Sequence, residues 1–156
     1  MAAIALRASN EAEDRRVLAF PRCPTAERMA AARVLDADER RELDRLRWLA
    51  LRAQLAPRND LERACYLLAG ERDASLERYA AVFFHGLSAA STSDMTFYRP
   101  GASAISDDEC WLLRLIAAYR RGEDAAAGAL VAWRVAPHSR RWMRFVANGL
   151  VRALDA

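Results

Sequence analysis

From Asp36 to the end of the chain, large apolar residues recur every three or four positions. The recurrence breaks where a helix would be capped or stopped and across one non-helical stretch, residues 88–105. Leu43, Leu46, Ala50 and Ala53 keep this spacing, Trp48, Leu51 and Leu55 widen the stripe, and Pro57 ends it. Charges of opposite sign stand three or four apart on the same segment (Arg40 with Asp44, Glu42 with Arg45, Asp44 with Arg47), as on a solvated helix face. No run alternates apolar with polar residues between hairpin turns. The expected fold is therefore all-α: a single compact bundle of about six or seven helices.

The punctuation divides the chain. Asn59 and Glu62 have the spacing of a capping box, with Leu61, Ala64, Cys65 and Leu68 following on one face and Gly70 ending it. Asp73 is placed to cap a helix carrying Leu76, Tyr79, Ala80, Phe83, Phe84 and Leu87, with its end expected between Gly86 and Ala90. Then comes the one long non-helical stretch, in which Pro100-Gly101 suits the central positions of a type II turn.

The C-terminal three-helix unit is the best specified. Ser106 and Glu109 form a capping box, Asp107 and Asp108 complement the positive helix start, and Gly122 follows Arg120 and Arg121. Trp111, Leu112, Leu115, Ile116 and Tyr119 should face inward. A second helix over about Glu123 to Val135 should bury Ala126, Leu130 and Trp133. A third, after Pro137, should bury Trp142, Phe145, Val146, Gly149, Leu150 and Ala153. Trp111, Trp133 and Trp142 are thus expected to meet in one core, with Trp48 joining or flanking it.

A chain of 156 residues suits one domain. Its expected organisation is an N-terminal segment of partly ordered short helices (1–35, interrupted at Pro21 and Pro24), a helical half (36–90), a connection (91–105) and a second helical half (106–156). The three cysteines, Cys23, Cys65 and Cys110, are scattered and odd in number, which points away from a disulfide framework or a zinc site and towards a cytoplasmic protein. The N-terminus lacks the pattern of a secretory signal, and no run of 18 apolar residues is present to span a membrane.

Catalytic signals are sparse. The two histidines, His85 and His138, have no convergent partners, and no phosphate-binding loop, HExxH or GxSxG pattern occurs. Neither an enzyme nor a cofactor or metal site is expected. Net charge is only +3, and all 24 basic residues are arginine, a bias that makes arginine number less informative than arginine position.

Position is informative at one place. Between Ala125 and Leu154 there is no acidic residue, in a chain that has 21, while Arg134, Arg140, Arg141, Arg144 and Arg152 all lie there. Arg141, Arg144, Asn148 and Arg152 share the outward face of the last helix, with Arg140 at its edge. Arg140 and Arg141 crowd the end where a helix is already positive, a placement that costs a few tenths to about 1 kcal/mol each. Such a face is explained either by ion pairs within the fold, with Asp107, Asp108, Glu109, Glu123 or Asp124, or by an acidic partner outside it. The expectation is a small regulator or adaptor that docks an acidic protein through Arg140, Arg141, Arg144 and Arg152. The alternative is a DNA-binding regulator, since a helix to Val135, a short turn and a helix led by arginines resemble a helix-turn-helix. The wide stripe over residues 43–55 leaves room for a homo-oligomer as well.

Overall fold

A computed structural model describes residues 35–57, 60–71 and 74–156. Six helices pack compactly in it: α1 (Ala37–Leu55), α2 (Leu61–Gly70), α3 (Leu76–Ala90), α4 (Asp107–Arg120), α5 (Asp124–Arg134) and α6 (Arg140–Leu154). A single 3₁₀ turn, Pro137–Ser139, leads into α6, and no strand occurs among the described residues.

Four of the helices begin at a side chain that satisfies their free amides. Asp36 accepts from the amides of Asp38 and Glu39 at 2.9 and 2.8 Å. Ser106 accepts from the Glu109 amide, and Glu109 returns the bond to the Ser106 amide, so the expected capping box is present. The cap of α2 is Asp60 rather than Asn59, and that of α3 is Ser75 rather than Asp73. Asn59 and Asp73 themselves lie outside the described residues, as does the expected organisation of residues 1–34. At the other ends, Gly122 stops α4 with a φ of +69°.

α3 is the central element, packed on α1, α2 and α6, while α4 and α5 close the bundle against α6. Phe83, Trp111, Val131, Met143 and Leu150 are fully enclosed in the core. The contact of α3 with α6 is reciprocal. A methyl group at Gly86 on α3 would run into the Trp142 ring of α6, and one at Gly149 on α6 would run into the Tyr79 ring of α3. Each helix therefore gives up a side chain where the other inserts an aromatic, and close-packed interiors hold such a fit tightly.

That close approach corrects the expected inward face of α6. The residues buried are Met143, Val146, Ala147, Leu150, Val151 and Leu154. Trp142 is half-buried at the rim, and Phe145 is 43% exposed. Val146 and Leu150 are inward as expected, and Trp142 and Gly149 take part in the seam with α3, whereas Phe145 lies outside it. In α5 Ala127 and Val131 are buried, with Val135 just beyond its end, and Leu130 is partly buried against the core as expected, whereas Ala126 and Trp133 are exposed. Trp133 is 62% exposed, with the Arg134 guanidinium 4.6 Å from its ring centroid. Of the three tryptophans expected to meet, only Trp111 is fully buried, its indole donating to the Leu130 carbonyl at 3.0 Å. Trp48 and Leu55 are 57% and 80% exposed, so the outer part of the α1 stripe stands in solvent.

The connection between α3 and α4 is held at several points. Ala136 donates to the Ala90 carbonyl and Thr92 to the Arg134 carbonyl, both at 2.9 Å, around an antiparallel bridge between Ser91 and Val135. Gly101 has a φ of +81°, and the Ala102 amide reaches the Arg99 carbonyl at 3.1 Å, which makes the expected Pro-Gly turn. Carboxylates hold the rest: the Thr96 amide bonds Asp108, the Tyr98 amide Glu109 and the Gly101 amide Asp44.

One charge departs from the solvated face expected of α1. Arg47 is only 2% exposed and Glu109 is fully enclosed. Arg47 Nε and Nη2 donate to the two Glu109 oxygens at 2.7 and 2.9 Å. Its remaining N–H groups reach Asp44 and the carbonyls of Ala102 and Ala104, so all five donors of the guanidinium are matched. The Glu109 carboxylate holds the Arg47 guanidinium above its ordinary value, against the opposing effect of burial.

Candidate interaction surface

α6 is amphipathic with its polar stripe outward, because the core-facing positions recur with a period near 3.6 and leave Arg141, Arg144, Phe145, Asn148 and Arg152 on the other side. Of the four arginines expected to act together, Arg140, Arg141 and Arg144 border one shallow depression, and Arg140 has a second role. Arg140 turns back along the chain. Its Nε donates to the Val135 carbonyl at 2.9 Å and its Nη2 to the Ala132 carbonyl at 2.8 Å. A cation at the negative C-terminal end of α5 is favourable, and two of the carbonyls left free there are satisfied. Its side-chain charge thus serves the end of α5 while its backbone begins α6.

Arg141, Arg144 and Arg152 project from the surface, and none has a carboxylate within ion-pair distance among the described residues. Three of the five acids offered by the sequence are engaged elsewhere. Glu109 holds Arg47, Asp108 lies 2.9 Å from Arg134, and Glu123 holds Arg121 at 2.7 Å. Asp124 borders the same shallow depression as Arg141 and Arg144 without pairing with either. Arg144 lies over Gly128 of α5, its guanidinium carbon 3.5 Å from where a Cβ would stand. The Tyr119 hydroxyl donates to the Arg144 carbonyl at 3.2 Å. Burial pushes the Tyr119 phenol up, and the Arg144 guanidinium pulls against that shift by favouring the phenolate.

Two features of this surface were not visible in the sequence. Phe145, expected in the core, stands exposed between the arginines, because its phase places it at the flank of the α3 contact. Tyr119, also expected inward, reaches the surface with its hydroxyl beside Arg144. On the far side of Phe145 a second depression is floored by Leu68, Leu76 and Ala153, with Arg152 at its edge.

The histidines do not join this surface. His85 Nε2 is 2.6 Å from the Ala53 carbonyl in the last turn of α1, and His138 is exposed in the turn before α6. Among the described residues no three His, Cys, Asp or Glu side chains converge in a metal-holding group, and no helix is long and apolar enough to cross a membrane. No protein-family model, curated protein or solved structure matches the chain.

Proposed function

We propose that this chain is a non-enzymatic interaction protein, a small cytoplasmic regulator or adaptor, and that the outward face of α6 docks an acidic partner protein. One observation carries the reading: Arg141, Arg144 and Arg152, with no carboxylate partner among the described residues, share the outward face of α6 with the exposed ring of Phe145. Arginine forks bind carboxylates in a bidentate way, and arginine and aromatic residues are both enriched at protein interfaces. Arg140 lines the same depression as Arg141 and Arg144 while its guanidinium also fixes the end of α5.

The DNA-binding alternative draws on the α5–turn–α6 arrangement, in which Arg141 would lead a helix into the major groove. It is the weaker reading, since Arg140 turns away from the helix start and a groove has little use for Phe145.

Affinity capture from native lysate, with and without nuclease, tests both. The control bait carries Arg141→Glu, Arg144→Glu and Arg152→Glu, and its fold is checked by circular dichroism. Docking requires that the wild type alone retain an acidic protein that resists nuclease. Retention of nucleic acid by the wild type alone would move the assignment to DNA. Identical recovery by both folded baits would remove the α6 face from consideration.

A further inference from the structure

A cavity of about 400 Å³ lies between α1, α3 and the connection before α4, and no residue of α6 lines it. Small-molecule sites typically enclose about 300–1,000 Å³. Ala50 and Ala53 of α1 leave the space open by their small size, and the buried Phe84 and Leu87 of α3 give it an apolar floor. The connection adds Met95 and Phe97, the Phe97 ring set edge-on to Phe84 with 5.5 Å between centroids. This last wall is fixed in place. The Thr92 amide is bonded to the Arg134 carbonyl, the Thr96 amide to Asp108 and the Tyr98 amide to Glu109. A site already held open loses little to ordering when a ligand enters.

Polar groups meet the same space. His85 Nε2 stands 2.6 Å from the Ala53 carbonyl, which can only accept, so Nε2 carries the hydrogen and Nδ1 of the neutral ring is left as an acceptor. Asp94 brings a full negative charge to the lining. Three other acids around the connection are committed to the fold: Asp44 to the Gly101 amide, Asp108 to Thr96 and Glu109 to Tyr98 and Arg47. Asp94 has no hydrogen bond or ion pair among the described residues, yet its backbone is anchored two residues away on either side, at Thr92 and Thr96. In a chain with 24 arginines, none lines this cavity.

We infer that the cavity binds a small aromatic amine, with its ammonium on the Asp94 carboxylate and its ring against Phe97 and Met95. The sign of the ligand comes from Asp94, whose charge nothing in the lining offsets. The ring comes from the Phe84–Phe97 pair and the thioether beside it, since aromatic edges and sulfur both favour an aromatic neighbour. The size comes from the volume. The site is separate from the α6 docking face and stands or falls without it.

The test titrates the isotope-labelled full chain with phenethylamine and follows the amide chemical shifts. Saturable shifts centred on the cavity residues are expected, with a Kd in the millimolar range or below. Phenylacetate has the same ring and the opposite charge, and should bind more weakly by about tenfold or more. Asp94→Asn, at an exposed position, should weaken phenethylamine by about tenfold and leave phenylacetate no weaker. Ser88→Phe, also exposed at the cavity edge, should fill the opening and abolish the shifts. Circular dichroism checks that both variants fold. If phenylacetate binds as tightly as phenethylamine, or Asp94→Asn is silent, the assignment to an amine is overturned. Shifts that do not saturate, or that saturate in folded Ser88→Phe as in the wild type, overturn the cavity as a site.

Discussion

Arg47 and Glu109 are 62 residues apart in the chain and meet with both side chains enclosed, through hydrogen bonds of 2.7 and 2.9 Å. Each oxygen of Glu109 accepts one Arg47 donor and one backbone amide, from Tyr98 and from Ser106. Helix α1, helix α4 and the connection before α4 are joined at this point. Removing one partner of such a pair leaves the other charge buried alone, which costs about 3–5 kcal/mol. Arg47→Met should therefore lower the urea midpoint strongly. Arg47→Met combined with Glu109→Leu should recover part of that loss and not all of it, because the Ala102 and Ala104 carbonyls remain without Arg47 and the Tyr98 and Ser106 amides then lose Glu109 as well. A double variant no more stable than the single would show that the pair does not act as a unit.

The two glycines of the α3–α6 seam give a second expectation. Gly86→Ala and Gly149→Ala place a methyl group against an aromatic ring, and overpacking of this kind costs about 1–3 kcal/mol. In an exposed helix the same change would stabilise, since alanine is the better helix former by about 1 kcal/mol. Thermal unfolding of the two variants distinguishes these by sign. Trimming Tyr79 to leucine should relieve Gly149→Ala and leave Gly86→Ala as it was.

Arg140 and its neighbours should behave oppositely. Arg140→Ala removes two charged hydrogen bonds from the end of α5, each worth about 1.5–3 kcal/mol at most, and should lower stability measurably. Arg141→Ala and Arg144→Ala, at exposed positions, should stay within about 0.5 kcal/mol of the wild type. Urea denaturation of the three single variants checks the contrast. A destabilising Arg141→Ala would mean that its charge is engaged within the fold and would count against the docking surface.

The Tyr119 phenol reports on the same surface. Its raised value comes first from burial, with the Arg144 guanidinium opposing. Arg144→Ala should therefore move its titration further up, as read from ultraviolet absorbance by difference against Tyr119→Phe. The sign for stability follows. The folded phenol holds its proton more firmly than the unfolded one, so its contribution is full below the unfolded value near 10 and is lost as pH rises through the folded one. Arg144→Ala should shift that loss to higher pH.

Much of this architecture can be read locally. A capping box needs only residues three apart, so Ser106 and Glu109 declare the start of α4, and Gly122 declares its end. The identity of the inward residues needs more. In α5 the alanines at 125–127, 129 and 132 blur the period, and a one-position rotation put Trp133 in the wrong place. In α6 Val146 and Leu150 lie inward and Trp142 and Gly149 join the seam with α3, while Phe145 is 43% exposed and Met143, Ala147 and Val151 are buried in addition, because the inward arc is rotated past Phe145. The second role of Glu109 depends on an arginine in another helix, and no short spacing encodes that. Arg141, Arg144 and Arg152 follow from the helical period alone. The reversal of Arg140 does not, because it depends on how the Pro137–Ser139 turn aims the start of α6 at the end of α5.

The connection before α4 has a further consequence in the currency of amide exchange. Thr96, Tyr98, Gly101 and Ser106 lie in non-helical backbone, yet their N–H groups end on carboxylates of Asp108, Glu109 and Asp44. Two of those carboxylates belong to the buried first turn of α4, and one of these holds Arg47. For Tyr98 and Ser106 to meet solvent, Glu109 must release its hold on α1 as well. Their protons should therefore exchange on the timescale of whole-molecule unfolding, which makes this loop, by its kinetics, a part of the core.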